Sequence, residues 1–310
     1  MIVVVVGKSS AADDLRAAAP SVELRFVDDL ASAADVWPEM DAVIGRVPPE
    51  VLAKAPKLRW VHSPAAGVDA DLSEEMLASP VVLTSSAGNG AIPLAEHSML
   101  LMLMLSRDVP RWLRAQASAR WDRFTHGELT GRTVGIYGLG NSGLDLAAKA
   151  KAFHMRVLGL RRRTGEPSPN VDRVYGADGF AEFLAESDFV VVTAPYTSST
   201  AGVFDAAAFV AMRPTAYFIC ISRGGIAVDH ALLDALRRGE IAGAGLDAHG
   251  VEPLPPSSPF WSLPNVIITP HNGATTPDTG RRGIEITADN LRRFAAGQPL
   301  RNQVDKTAGY

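Results

Sequence analysis

The sequence is short of the groups from which many functions are built. Its 310 residues contain one cysteine, Cys220, so no intramolecular disulfide forms and no thiolate cluster exists for zinc or an iron–sulfur centre. A reducing cytoplasm suits such a chain. Basic charge is not in excess, because 30 Lys and Arg stand against 34 Asp and Glu for a formal net charge of -4. That balance supplies neither the phosphate-neutralising surface of a nucleic-acid binder nor a polybasic patch for a membrane. Long apolar runs are missing too: the longest, residues 99–105, falls well below the roughly 20 residues a bilayer requires. The opening MIVVVVG lacks the basic leader and cleavage site of a signal peptide. The seven histidines are scattered, with no HExxH, so no metal site is expected. No GxSxG announces a nucleophilic serine.

What the chain does have is alternation. Short apolar runs at residues 2–6, 22–27, 42–44, 58–62 and 81–84 are separated by polar or helix-like segments such as 11–19. This reads as strands of a parallel sheet covered by helices. Residues 93–120 break the pattern with a long stretch poor in β-branched residues, interpreted as two helices meeting near Pro110 and bridging two domains. A second alternating series follows at 133–137, 156–160, 189–193, 217–221, 243–246 and 266–269, six strands of a doubly wound sheet. A last helix is expected over 281–296.

Gly138-Leu139-Gly140-Asn141-Ser142-Gly143 lies directly after the apolar run VGIY and directly before a helix-like stretch. In that context the glycines have separate duties. Gly138 permits the tight turn, Gly140 lets a pyrophosphate approach the backbone, and Gly143 lets helix and strand pack closely. The pattern predicts dinucleotide binding. At the end of the next strand, where a carboxylate would hold the ribose 2′-hydroxyl of NAD, stand Arg161, Arg162 and Arg163, with no acid before Glu166. Three guanidinium groups there favour a 2′-phosphate, hence NADP(H), with NAD(H) possible; a solvated basic loop is the plainer reading of the same residues.

Other polar residues follow predicted strands of this second series, at the edge where ligands of such sheets bind. Arg223 follows FICIS, Asp247 follows GAGL with Glu252 in the loop beyond, and His271 follows VIITP. Singly, each passes for a surface charge or a turn residue. Together, after three strands of one sheet, they are able to converge on a nicotinamide.

These segments also carry a resemblance. HGELTGRTVGIYGLGNSG, the stretch from VVTAPYTSST through ISRGG to GAGLD, and VEPLPPSSPFWSLPNVIITPHNGATT resemble, in order and spacing, the D-isomer-specific 2-hydroxyacid dehydrogenases. VHSPAAGVD and PLAEHSMLLML extend the likeness toward the N-terminus. The resemblance implies two α/β domains: a doubly wound Rossmann dinucleotide-binding domain, residues 98–276, inserted in a flavodoxin-like substrate domain, residues 1–97 plus 277–310, with the active site in the cleft. It implies that Arg223 holds the substrate carboxylate and carbonyl, that His271 is the proton donor and that Glu252 is its acidic partner. Asp247 would contact the nicotinamide carboxamide, and Pro195 and Ile221 would line the cofactor. Backbone N–H groups of Ala65, Ala66 and Gly67 would cradle the carboxylate. Trp112 and Trp121 fall in the extension that forms the family's dimer, whereas His97 and residues 99–104 read as helix core. Two departures stand out: Asn141-Ser142 replace the usual basic and bulky aliphatic pair, and residues 248–251 are less aromatic and less acidic than the family pattern.

The function expected is NADPH-linked reduction of a small 2-oxo acid, such as glyoxylate or hydroxypyruvate, to its (R)-2-hydroxy acid by a cytoplasmic homodimer without nucleic-acid or membrane partners. The rivals are an NAD-linked dehydrogenase for a bulkier D-hydroxy acid and a dinucleotide-sensing, corepressor-like binding protein. The absence of extended tails counts against the latter.

Overall fold

The computed structural model describes residues 1–7, 11–165 and 168–310. Two compact units emerge, Met1–Gly90 with Thr276–Tyr310, and Ala91–Thr275.

The first unit begins with β1 (Ile2–Val6), α1 (Ala12–Ala18), β2 (Glu23–Val27), β3 (Ala42–Ile44), α2 (Pro49–Leu52), β4 (Trp60–Ser63), α3 (Glu74–Ala78) and β5 (Val82–Ser85). Its five strands are all parallel in the order β2-β1-β3-β4-β5, the flavodoxin-like winding that reverses direction between β1 and β3. The run of valines in β1 is buried on both faces, as a central parallel strand requires.

The second unit comprises α4 (Ala91–Ser106), α5 (Val109–Ala117), β6 (Thr133–Tyr137), α6 (Asn141–Ala152), β7 (Arg156–Leu160), β8 (Arg173–Tyr175), α7 (Phe180–Glu186), β9 (Phe189–Val192), α8 (Ala206–Ala211), β10 (Tyr217–Cys220), α9 (Asp229–Arg238), β11 (Gly243–Leu246) and β12 (Val266–Ile268). The chain then returns to the first unit as α10 (Pro277–Ala295). Helix α4 belongs whole to the second unit, ahead of the boundary expected after residue 97. The second sheet is parallel throughout in the order β12-β11-β10-β9-β6-β7-β8, the doubly wound arrangement with its switch point between β6 and β9. One core, around Phe183, Phe204, Phe209 and Phe218, covers one face. The other, around Leu101, Met102, Leu146 and Ile136, covers the opposite face.

Two expectations need correction. The second sheet has a seventh strand, β8, which was not foreseen. It is three residues long, begins with an exposed arginine and buries only Tyr175, as suits an edge strand that offers no apolar run to read. Helix α10 starts at Pro277 rather than 281. Thr276 caps it by accepting from the Thr279 N–H at 3.1 Å, and Pro277 fills the first turn, where its missing N–H costs nothing. The two helices α4 and α5 do meet near Pro110, which sits in the first turn of α5 behind Asp108, whose carboxylate accepts from the Arg111 N–H. Among the described residues, no helix is long and apolar enough to cross a membrane.

Candidate active site

The glycine loop is shaped by what surrounds it. Gly138 has φ +108, and a Cβ there would stand 2.6 Å from the Ala194 backbone nitrogen. A Cβ at Gly143 would come within 2.1 Å of the Gly138 carbonyl oxygen. At Gly140 the same addition meets open space. Two glycines are therefore demanded by the protein itself, while the third leaves room for something else. Gly140 is also the N-cap of α6 and places no side chain over the first N–H groups. A concave, uncapped helix N-terminus at the switch point of a doubly wound sheet fits a pyrophosphate. Asn141 is exposed and Ser142 half-buried on the first turn of α6.

Arg161 continues β7, with its N–H donated to the Tyr175 carbonyl at 3.1 Å, so the unforeseen β8 fixes its backbone. Arg162 and Arg163 are exposed beyond it; Glu166 lies outside the described residues. Pro195 is exposed after β9, and its carbonyl accepts from the Thr200 hydroxyl at 2.7 Å. Ile221 is buried in the second core, which leaves its backbone as the part able to meet a ligand.

Glu252 and His271 meet directly. The His271 Nδ1 lies 2.8 and 2.9 Å from the two carboxylate oxygens, and the His249 N–H donates to the same carboxylate at 2.8 Å. Burial works to raise the Glu252 pKa, but the bonds from His249 and His271, with their charges, outweigh it and hold the group below the usual carboxylate range. Since a carboxylate only accepts, Nδ1 carries a proton. His271 itself occupies the left-handed region, φ +50, which costs a non-glycine residue on the order of 1 kcal/mol.

Asp247 supports that conformation. It is fully buried at the end of β11 and accepts from the Thr269 hydroxyl at 2.7 Å, the Asn272 N–H at 3.1 Å and the Gly273 N–H at 3.0 Å. Its carboxylate thus holds the two peptide units that follow His271. Arg223, half-buried after β10, donates from Nη1 to the Ser222 carbonyl at 2.9 Å. The turn after it abuts the loop leading to Glu252, because a Cβ on Gly224 would fall 1.9 Å from the His249 carbonyl carbon. Arg223, Asp247, Glu252 and His271 all belong to the second unit. Ala65 and Ala66 are exposed and Gly67 half-buried after β4 of the first unit, where the Ala65 carbonyl accepts from the Ser86 N–H at 3.0 Å.

Three participants were missed by sequence reasoning. His97 donates from Nε2 to Thr269, His249 braces Glu252 through its N–H, and Thr269 joins His97 to Asp247. The available signal was a histidine within the apolar helix α4, since a buried ring nitrogen requires a partner. Among the described residues, no group of three or more His, Cys, Asp or Glu side chains is arranged to hold a metal ion.

The family model for the D-isomer specific 2-hydroxyacid dehydrogenase NAD binding domain matches residues 99–273. The chain belongs to this family. It is similar to a glyoxylate reductase of Pyrococcus furiosus, 34% identical over 82% of this chain and 77% of that protein's own length. A D-3-phosphoglycerate dehydrogenase of Mycobacterium leprae is 33% identical over 99% of this chain, which spans only 59% of that longer protein. Among solved structures, an NADPH-dependent glyoxylate/hydroxypyruvate reductase of Sinorhizobium meliloti in complex with NADP and sulfate superposes with a TM-score of 0.86 at 31% identity, covering 100% of this chain and 99% of its own. A D-isomer specific 2-hydroxyacid dehydrogenase of Xanthobacter autotrophicus in complex with NADPH and MES also gives 0.86, at 30% identity over 99% of both chains.

Proposed function

We propose that this chain reduces small 2-oxo acids to (R)-2-hydroxy acids, taking NADPH in preference to NADH, with glyoxylate and hydroxypyruvate as the first substrates. The observation that carries the proposal is the His271–Glu252 pair at 2.8 Å, in loops after β11 and β12 of the same parallel sheet whose β6 leads into the uncapped glycine loop. Gly138, Gly140 and Gly143, with the first turn of α6, hold the dinucleotide, and Arg161 to Arg163 favour its 2′-phosphate. A bound nicotinamide supplies the hydride. The remaining chemistry belongs to the protein.

Arg223 presents a planar fork to the substrate carboxylate and draws charge from the adjacent carbonyl. As the carbonyl carbon is reduced, its oxygen gains negative charge and takes a proton from His271. Because Nδ1 keeps its proton on Glu252, Nε2 donates only from the imidazolium. Transfer leaves a neutral ring with its Nδ1–H still on Glu252, so the pair survives the step without rearrangement. Support for NADPH comes from the arginines after β7 and from the dinucleotide named for the S. meliloti and X. autotrophicus structures. We assign the protein to the cytoplasm as a homodimer. Exposed Leu113 and Trp121, the latter 89% accessible, support a subunit contact near α5.

The test is steady-state reduction of glyoxylate, hydroxypyruvate, pyruvate and larger 2-oxo acids with each dinucleotide, with the product resolved by chiral chromatography. Turnover with NADPH giving the (R)-product is expected. No turnover with any 2-oxo acid overturns the proposal, and a marked preference for NADH with bulky substrates replaces it with the NAD-linked alternative.

A further inference from the structure

We propose that His97 is a positioning residue for His271, acting through Thr269 and Asp247; this rests on the reading of His271 as the proton donor. The directions of the hydrogen bonds follow from what each group can offer. Asp247 only accepts, so the Thr269 hydroxyl spends its one proton on Oδ1 at 2.7 Å. Thr269 must then accept from His97, whose Nε2 lies 3.0 Å away and therefore carries a proton. His97 Nε2–H donates to Thr269 and the Thr269 O–H to Asp247, whose carboxylate also accepts from the Asn272 and Gly273 N–H groups. The donors converge on Asp247, which thereby ties α4 to the two peptide groups that follow His271.

The anchor is stiff. Helix α4 spans 16 residues and packs into the core so closely that a Cβ on Gly245 of β11 would lie 3.1 Å from Leu101. Its His97 side chain is only 12% exposed and sits 3.6 Å from Asp247 Oδ1. A second fit tightens the same loop. A Cβ on Gly273 would stand 2.8 Å from Asp247 Oδ2 and 3.0 Å from His97 Cδ2, so the histidine ring is also the wall against which the loop closes. His271 is left-handed at φ +50, a conformation that relaxes unless its flanks are held. Thr269 holds the near side and Asp247 the far side. Both are oriented from α4, which bears His97 and touches no reacting atom.

Two variants separate positioning from packing. His97→Leu keeps the volume and removes the donor, whereas His97→Gln keeps a donor of similar reach. With dinucleotide saturating, His97→Leu is expected to lower kcat by about tenfold to a hundredfold, the cost of a small misplacement of a catalytic group, with KM for the 2-oxo acid changing little. His97→Gln recovers most of that loss. The ring 15N shifts of His271 are read in parallel without substrate: a protonated Nδ1 in the unmodified protein and in His97→Gln, and mixed tautomers in His97→Leu. Unchanged kcat and unchanged shifts in His97→Leu overturn the proposal, as does an equal loss in both variants. If the unmodified protein reduces no 2-oxo acid, the functional reading fails on its own, and the 15N shifts still decide whether His97 positions His271.

Discussion

His271 and Glu252 are joined through Nδ1 at 2.8 Å, and the histidine backbone is left-handed at φ +50. The join divides the imidazole into a fixed nitrogen and a working one. Removing the ring tests that division. His271→Ala should lower kcat by on the order of 10² to 10⁴, the range for a positioned general acid, and leave the dinucleotide dissociation constant unchanged by fluorescence titration. Loss of dinucleotide affinity instead of kcat would assign His271 to binding.

Glu252 keeps its charge to lower pH than a free glutamate, because the bonds from His249 and His271 outweigh its burial. The sign follows: the stabilisation of the pair is complete above the ordinary carboxylate pKa and is lost as pH falls through the depressed folded value. Glu252→Gln removes that carboxylate and the support it gives an imidazolium. The alkaline limb of the reduction profile should move to lower pH, with activity remaining below it. A profile superimposable on the parent's removes Glu252 from the mechanism.

Cofactor choice is read at Arg161. One charge-assisted hydrogen bond contributes roughly 1.5 to 3 kcal/mol, about tenfold to a hundredfold in affinity. NADPH should be preferred by kcat/KM, less so at high salt, and Arg161→Asp should reverse the order by replacing attraction with repulsion. Equal kcat/KM for the two dinucleotides at low ionic strength would show a merely solvated basic loop.

His62 of β4 makes a prediction about stability. It is fully buried, with Nδ1 2.8 Å from the Thr84 hydroxyl and Nε2 2.9 Å from that of Thr287 on α10. Thr287 donates to the Gly283 carbonyl, so Nε2 must donate to Thr287, and Nδ1 accepts from Thr84. A second ring proton would turn the Thr84 hydroxyl from donor to acceptor, and burial pushes the imidazole from 6.5 down to about 4. The unfolded chain takes up a proton near 6.5 and the folded one does not, so stability is full above 6.5 and declines as pH falls toward 4, by on the order of 3 kcal/mol. His62→Gln cannot titrate, and its stability in urea should fall less than the parent's between pH 7 and 4.5. Parallel losses would exclude His62 as the source.

Much of this architecture is legible where one residue type does one job. The short apolar-rich runs of β6 and β7 announce both strands to the residue, and the glycine spacing announces the turn between β6 and α6. Strand β8 is hidden because an edge strand buries little, and the start of α10 because Gly280 and Gly283 dilute its helical character. The pairing of Glu252 with His271 is visible through family likeness, since neither residue alone requires the other. His97 and Thr269 are 172 positions apart, and their bond exists only once α4 lies against the end of β12. The left-handed backbone of His271 is invisible for a different reason: no side chain calls for it, and it is imposed by where Asp247 holds the next two peptide groups.

The first unit is assembled from two separated stretches of chain, and α10 supplies Ala288 and Leu291 to the core that contains Val3, Val5 and Trp60. Phe294 of the same helix lies 4.9 Å, ring to ring, from Trp60. The second unit is one unbroken stretch. On a ribosome, the stretch made first is therefore the one completed last: residues 1–90 wait with an uncovered tryptophan face while residues 91–275 emerge with everything they need to close. Stalled nascent chains should become protease-resistant over 91–275 before 1–90, and the older segment should gain protection only when α10 clears the exit tunnel.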